Sequence, residues 1–208
     1  MHGYMKIPEL KRVCHAMEIS INEYLVSVYI WSVYTECLHG MPSKCPIRVA
    51  VPVNLRPYFN SITTKNFFVM VSAEFHPTKE TYTFAEVAAI VKESLRSQIN
   101  RENLEKLFSY NVSNEKLLIA RVVPLFLKNL AMKYVYTTSA LANTATITNI
   151  GNISVTEEYR PYVEMFHAFL AMSKGQHLKG TICSYGDTLV FSFSYDLVDA
   201  SVQRGFFR

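Results

Sequence analysis

The alternation of hydrophobic and polar positions divides this chain into helical and strand-like segments. Helical spacing of the apolar residues, with a Ser/Thr-x-x-Glu capping box before two of the segments, predicts five helices. They cover residues 8–18, 21–38, 84–99, 114–136 (bent or broken near Pro124) and 199–208. Period-two or continuous apolar patterns predict strands at 47–53, 66–75, 144–151 and 163–172, and a hairpin over 180–195 that turns at Gly186-Asp187.

This order of elements is typical of an α/β domain with a mixed sheet. The 208 residues suffice for one sizeable domain, and no repeat, low-complexity segment or linker interrupts them. In the longest amphipathic pattern, 21–38, we expect Tyr24/Leu25, Val28, Trp31/Ser32 and Thr35 to form the buried stripe. We therefore predict a single α/β lobe over residues 1–208.

Composition and charge narrow the classes of function. Half of the residues are hydrophobic and the net charge is only +4, with both signs interleaved, so we expect no nucleic-acid surface. The four cysteines form no C-x-x-C pair, and the first residues form no signal peptide, which favours a reducing, cytoplasmic location. The longest apolar run, 117–127, is too short for a transmembrane segment.

Most motifs of catalysis and cofactor binding are absent from the sequence. There is no phosphate-binding glycine loop, no nucleophile elbow and no H-E-x-x-H, and the six histidines show no metal-ligand spacing. Cys14-His15 are helix neighbours that point apart, and Glu157-Glu158 is typical of a solvated stretch. We interpret His167 as an ordinary strand histidine. The sequence predicts no metal site and no tightly bound cofactor.

Two places are candidates for function. Arg56 follows the core strand 47–53 and precedes Pro57, at the strand end where α/β proteins often place functional groups. Its guanidinium could bind a carboxylate through two parallel hydrogen bonds, or it could be a surface arginine in a turn. Asn149 and Gly151 end a strand with an amide and a flexible residue, which fits either a ligand contact or an ordinary turn.

These segments, in this order, resemble a known family. "VPVNLRPYFNSITTKNFF", "TATITNIGN", "EEYRPYVE" and "SYGDTLVFSFS" resemble the C-terminal half of alcohol acetyltransferase-like proteins. Those proteins belong to the superfamily of CoA-dependent acyltransferases, together with chloramphenicol acetyltransferase and condensation domains. The resemblance covers nearly the whole chain. It implies a chloramphenicol acetyltransferase-like two-layer α/β sandwich, of which this chain is the C-terminal lobe only.

The resemblance also implies an activity: acetyl transfer from acetyl-CoA, as co-substrate, to the hydroxyl of a small alcohol. The family's base is the second histidine of H-H-x-x-x-D-G in the N-terminal lobe, and no two histidines are adjacent here. We therefore expect no catalytic residue in this chain, and no activity without that lobe. Arg56 matches the arginine that pairs with the motif's aspartate. Asn149, Gly151 and, with a weaker match, Asn66 correspond to the wall of the substrate tunnel.

Two alternatives remain open at this point. The chain could be a non-catalytic partner or binding module built on the same half-fold. It could also be a condensation-type domain of a peptide synthetase system, which joins larger acyl groups on carrier proteins. A lobe separated from its partner exposes the apolar wall of the tunnel, so we expect the isolated chain to associate with itself.

Overall fold

The computed structural model describes residues 1–116 and 123–208 as six strands and seven α-helices. The strands are β1 (His2–Lys6), β2 (Ile47–Asn54), β3 (Phe68–Phe75), β4 (Ala145–Asn152), β5 (Leu178–Tyr185) and β6 (Thr188–Tyr195). The helices are α1 (Ile7–Ala16), α2 (Ile21–Glu36), α3 (Arg56–Phe59), α4 (Phe84–Gln98), α5 (Arg101–Lys116), α6 (Leu125–Leu141) and α7 (Ser201–Phe206). A 3-10 turn spans Arg160–Tyr162.

All six strands form one mixed sheet in the order β1-β6-β5-β4-β2-β3. Strand β4 is parallel to both of its neighbours, β2 and β5, while the remaining pairs are antiparallel. Helices pack against this sheet, so the predicted α/β class and mixed sheet are confirmed. The hairpin around Gly186-Asp187 is also confirmed, with Tyr185 opposite Thr188.

The sheet has a seam between β2 and β4. These two strands pair only at Val49 with Ala145 and at Ala50 with Thr146. Both strands continue beyond this point, β2 alongside β3 as far as Asn54 and β4 alongside β5. The sheet therefore consists of two well-paired halves that are joined by a short ladder.

The hydrophobic core lies between one face of the sheet and a helix layer to which α1, α2, α4 and α7 belong. Helix α2 begins with the predicted capping box, in which Glu23 and Ser20 exchange hydrogen bonds of 2.7 and 3.1 Å. The predicted buried stripe of α2 is wrong in part. Four members of that stripe are only half-buried: Tyr24, Val28, Trp31 and Thr35. The fully buried large side chains of α2 include Leu25, Tyr29, Ile30 and Tyr34, and they lie on more than one side of the helix because α1, α4 and α7 also pack against it.

The predicted strand at 163–172 is wrong. This segment has no strand partner. It instead crosses the face of the sheet opposite the helices, where it contacts residues of β1 and β5. Two of its backbone carbonyls accept hydrogen bonds from side chains of β5. The Ala171 carbonyl accepts from Lys179 Nζ (2.8 Å), and the Phe166 carbonyl accepts from Cys183 Sγ (3.2 Å). Period-two alternation appears here because one side of the segment packs on a sheet, although its backbone joins no ladder.

Other boundaries also differ from the sequence predictions. Strand β1 and most of helix α5 were not predicted, and β3 begins at Phe68, so Asn66 lies in the preceding loop. Helix α6 begins directly after Pro124, as expected for a proline break, and the predicted helical segment at 117–122 lies outside the described residues.

Candidate functional site at the strand ends

All four residues that the sequence singled out lie along the side of the sheet where several strands end, which we call the strand-end edge. The parallel strands β2, β4 and β5 end at this edge, and antiparallel β3 begins there, with Phe68 opposite Asn54. Arg56 follows β2 and Asn66 precedes β3, while Asn149 and Gly151 lie among the last residues of β4. Carboxyl ends of parallel strands are common ligand sites in α/β folds, so we treat this edge as the candidate site.

Asn149 and Gly151 line a cavity of about 360 Å³. A register shift between these two residues forms a bulge, and Gly151 has a φ of +87°, a conformation that favours glycine. Asn149 Oδ1 accepts a hydrogen bond of 2.8 Å from the Gly151 N–H, which fixes the amide side chain at the strand tip. Helix α1, the first residue of α2 and the β5–β6 hairpin supply the other walls, among them Lys11, Ile21, Ser184 and Asp187.

The Asn149 amide keeps its donor group available. Its oxygen is used within the bulge, whereas Nδ2 donates no hydrogen bond to the residues the structure describes. Asn149 is exposed, and the space beside Gly151 is open, since an added Cβ would meet no atom within 4 Å. This arrangement could present an N–H donor to a carbonyl oxygen of a ligand.

Arg56 organises the loop that follows β2. Its Nε donates to the Thr63 carbonyl (2.8 Å), Nη2 to the Lys65 carbonyl (2.6 Å) and Nη1 to Asn54 Oδ1 (3.2 Å). The resemblance implies an aspartate of another lobe as a partner of Arg56, and in the structure the guanidinium already joins both ends of its own loop. Three of its five N–H groups are used in this way, which leaves two for a carboxylate.

A second cavity, of about 350 Å³, adjoins the first and shares Asn152 and Gly186 with it. Its walls include Tyr185 and Arg160, which sequence reasoning missed. A signal was present, because Arg-Pro-Tyr occurs twice in the chain, at 56–58 and at 160–162. Each copy forms one short helical turn with the arginine at its first position.

No histidine lines either of these two edge cavities. His167 lies on the outer face, where its Nε2 is 3.1 Å from the Tyr4 hydroxyl and its ring packs edge-on against His2. Burial, the N-terminal ammonium and His167 all lower the pKa of His2. The two cavities thus provide amide and hydroxyl groups for binding but no imidazole as a general base.

The described part of the chain offers no grouping of three or more His, Cys, Asp or Glu side chains suited to a metal ion. Within the same residues, no helix combines the length and the apolar character that crossing a membrane requires.

Comparison with known proteins supports the fold. Neither a protein-family model nor a curated protein matches the sequence. The nonribosomal peptide synthetase FmoA3 matches 99% of this chain with 20% of its own, at 17% identity and a TM-score of 0.63. The epimerization domain from the third module of tyrocidine synthetase B matches 99% with 45% of its own chain, at 12% identity and a TM-score of 0.60.

A third solved structure is a wax ester synthase/diacylglycerol acyltransferase from Marinobacter aquaeolei VT8. It matches 99% of this chain with 46% of its own, at 14% identity and a TM-score of 0.52. The chain thus spans about half the length of this enzyme and of the epimerization domain. Because the identities are low, the likeness establishes the fold alone. The α/β fold with a mixed sheet that the resemblance implied is therefore confirmed, and it corresponds to a part of each of these longer chains.

Proposed function

We propose that this chain is the C-terminal lobe of a CoA-dependent O-acyltransferase that moves an acetyl group from acetyl-CoA to the hydroxyl of a small alcohol. The observation that carries the proposal is the Asn149–Gly151 bulge, which holds an amide donor at a cavity on the strand-end edge of an acyltransferase-type fold. The acceptor and the CoA thioester would meet between this edge and an N-terminal lobe.

The chemistry assigns different tasks to the two lobes. Attack of a hydroxyl on a thioester needs a base for the proton and donors for the oxygen that becomes negative. Asn149 Nδ2 can serve as such a donor, or can hold the thioester before attack. The base would be a histidine of the N-terminal lobe, since the edge cavities contain none.

Arg56 would support the base rather than touch substrate. Its loop contacts leave two N–H groups, which could bind the aspartate of H-H-x-x-x-D-G and hold the catalytic loop of the other lobe. Because the arginine is already fixed by two backbone carbonyls, it would meet that carboxylate with little further loss of side-chain entropy.

A second candidate is a condensation-type function on carrier-bound acyl groups. The two structures from peptide synthetases superpose with TM-scores of 0.63 and 0.60, against 0.52 for the wax ester synthase. The two functions share the fold and differ in the acyl donor, so the donor is the discriminating variable.

The test requires both lobes, with this chain joined to an N-terminal lobe that carries H-H-x-x-x-D-G. Acetyl-CoA and a series of alcohols are supplied, and the release of free CoA thiol is measured. We expect release that depends on the alcohol, and a loss of about 100-fold in kcat for Asn149→Ala. The control Thr148→Ala, on the same strand, should retain activity.

Two outcomes would contradict the proposal. Transfer from an acyl-loaded carrier protein but not from acetyl-CoA would favour the condensation-type function. No transfer from either donor, by a folded two-lobe protein, would favour a non-catalytic module.

A further inference from the structure

The outer face of β2, β3 and β4 contains a cavity of about 620 Å³ that no sequence motif indicated. None of its lining residues in the described part of the chain also lines an edge cavity. Side chains of the sheet form its floor and side chains of α5 and α6 form part of its walls. Its volume lies within the range of small-molecule binding sites.

The cavity exists because a small residue lies in the middle of β2. Ala50 occupies the outer face between Arg48 and Pro52, and it is only 3% exposed although no helix of the main core covers that face. Phe68 and Met70 of β3 rise on one side, and Leu107, Tyr110 and Tyr136 of the helices complete an apolar wall.

Polar groups converge on the floor of the cavity. Ser72 Oγ donates a hydrogen bond of 3.0 Å to Asn143 Oδ1, and Thr146 Oγ1 lies 3.5 Å from Gln176 Oε1. The second contact is long for a hydroxyl donor, and Gln176 Nε2 donates to none of the residues the structure describes. The floor therefore has a hydroxyl and an amide that are available to a ligand.

Among the residues that the structure describes, those that line this cavity carry no carboxylate, ammonium or guanidinium group. A charged ligand group would give up part of its hydration at this apolar wall without gaining an ionic partner from the described lining residues. An uncharged hydroxyl or amide would exchange its water contacts for those of Thr146 and Gln176. The apolar wall would cover a hydrocarbon chain.

We propose that this outer-face cavity binds a neutral aliphatic molecule that ends in one hydroxyl or amide group. The polar end lies on the floor at Thr146 and Gln176, and the chain extends along Met70 and Tyr136. This binding does not depend on acyl transfer, so it can be tested on this chain without an N-terminal lobe.

The test is a titration of the ¹⁵N-labelled chain with three probes of equal chain length: 1-octanol, octanoate and octylammonium. We expect 1-octanol to bind at least 10-fold more tightly than either ion, with the largest shifts at Ser72, Thr146 and the Gln176 side-chain amide. Equal affinity for the three probes, or shifts confined to other residues, would overturn the proposal.

Variants locate the binding. Met70→Trp should place an indole ring across the wall that the hydrocarbon chain contacts and weaken 1-octanol binding by at least 10-fold. Thr146→Val should weaken it several-fold by removing the hydroxyl. Thr148→Val, on the same face of β4 but outside the cavity, should bind like the parent chain. If Met70→Trp fails to fold, as judged by circular dichroism, Tyr136→Ala replaces it and should also weaken binding. Binding that survives both wall and floor substitutions would contradict the assignment.

Discussion

The outer faces of the two halves of the sheet differ sharply. Over β5, β6 and β1, the segment 163–172 covers the sheet, and Val190, Cys183 and Ser192 are almost completely buried. Over β2 and β3, Phe68 is 49% and Met70 45% exposed. Both halves share the same helix layer on the opposite face, so the difference arises only from what covers the outer side.

This difference shows which half of the sheet has protein on both of its faces. The covered half has protein on both faces. The other half ends in the Arg56 loop, holds the outer-face cavity and adjoins helix α6, whose large hydrophobic side chains between 125 and 136 are exposed. Helices that are apolar all round are normally buried, so we expect another protein surface to cover α6.

The largest expected effect concerns that exposed helix. We predict that the chain associates with itself through α6, and that Phe126→Asp combined with Leu130→Asp weakens the association by about 4 kcal/mol, roughly 1000-fold. Sedimentation velocity over a concentration series measures it. Val198→Asp, an exposed apolar position outside α6, is the matched control. A parent chain that stays monomeric at high concentration would refute this prediction.

A second prediction concerns the covering of the other half. Lys179 is 7% exposed, and its ammonium binds the Ala171 carbonyl and Ser173 Oγ at 2.8 and 2.6 Å. Lys179→Ala removes these charge-assisted bonds and leaves a void, so we expect a loss of about 2–4 kcal/mol in the free energy of unfolding. Urea denaturation measures it, with the exposed Lys174→Ala as control. An unchanged stability would show that the segment is not held by this lysine.

A smaller effect compares equivalent truncations on the two outer faces. Val190→Ala, under the crossing segment, should cost about 2 kcal/mol, because two buried methyl groups are lost and a small cavity is left. Met70→Ala, on the open face, should cost less than about 0.5 kcal/mol, as is usual for exposed positions. Equal losses in urea denaturation would mean that the two faces are equally covered.

The sequence predicted the elements whose signals are local. Capping boxes at Ser20 and Thr83, the proline before α6 and the Gly186-Asp187 turn each depend on neighbouring residues, and the structure has all of them. For Asn149 and Gly151 it left a ligand contact and an ordinary turn open, and the structure has a bulge there within β4. The sequence prediction missed β1, because that strand pairs with β6, whose residues lie far along the chain. It wrongly assigned a strand to 163–172, because that segment alternates between apolar and polar residues although its backbone pairs with no strand.

The site was predictable only in part for the same reason. Arg56 was recognisable from its position after a core strand, but its two carbonyl partners depend on how the loop 60–65 folds back. The outer-face cavity depends on Ala50, Ser72 and Thr146, which lie on three strands and carry no joint signal in the sequence. Whether the four predicted residues contact a substrate stays a prediction.

The smallest effect concerns the helix layer that both halves share. Glu23 of α2 and Arg96 of α4 form an ion pair of 2.8 Å. Burial raises the pKa of Glu23, but hydrogen bonds from Arg96 and Ser20 outweigh it and hold the pKa below its usual 4.5. The stabilisation is therefore present above about pH 4.5 and is lost as the pH falls through the lowered value.

Glu23→Gln should accordingly cost about 1 kcal/mol at neutral pH and less in acid. Thermal unfolding between pH 3 and 7 measures this. Glu102→Gln, whose ion pair with Lys106 is exposed, should follow the parent chain at every pH. A constant difference between Glu23→Gln and the parent chain would contradict the ionic origin of the effect.

Complementation of this chain with an N-terminal lobe tests the proposed acetyl transfer most directly. Free CoA release from acetyl-CoA and an alcohol is measured for this chain alone, for an N-terminal lobe with H-H-x-x-x-D-G alone, and for the two together. If the two lobes together transfer the acetyl group, release should exceed that of a heat-denatured control only when both lobes are present. Release by this chain alone, or none from two lobes that demonstrably associate, would contradict it.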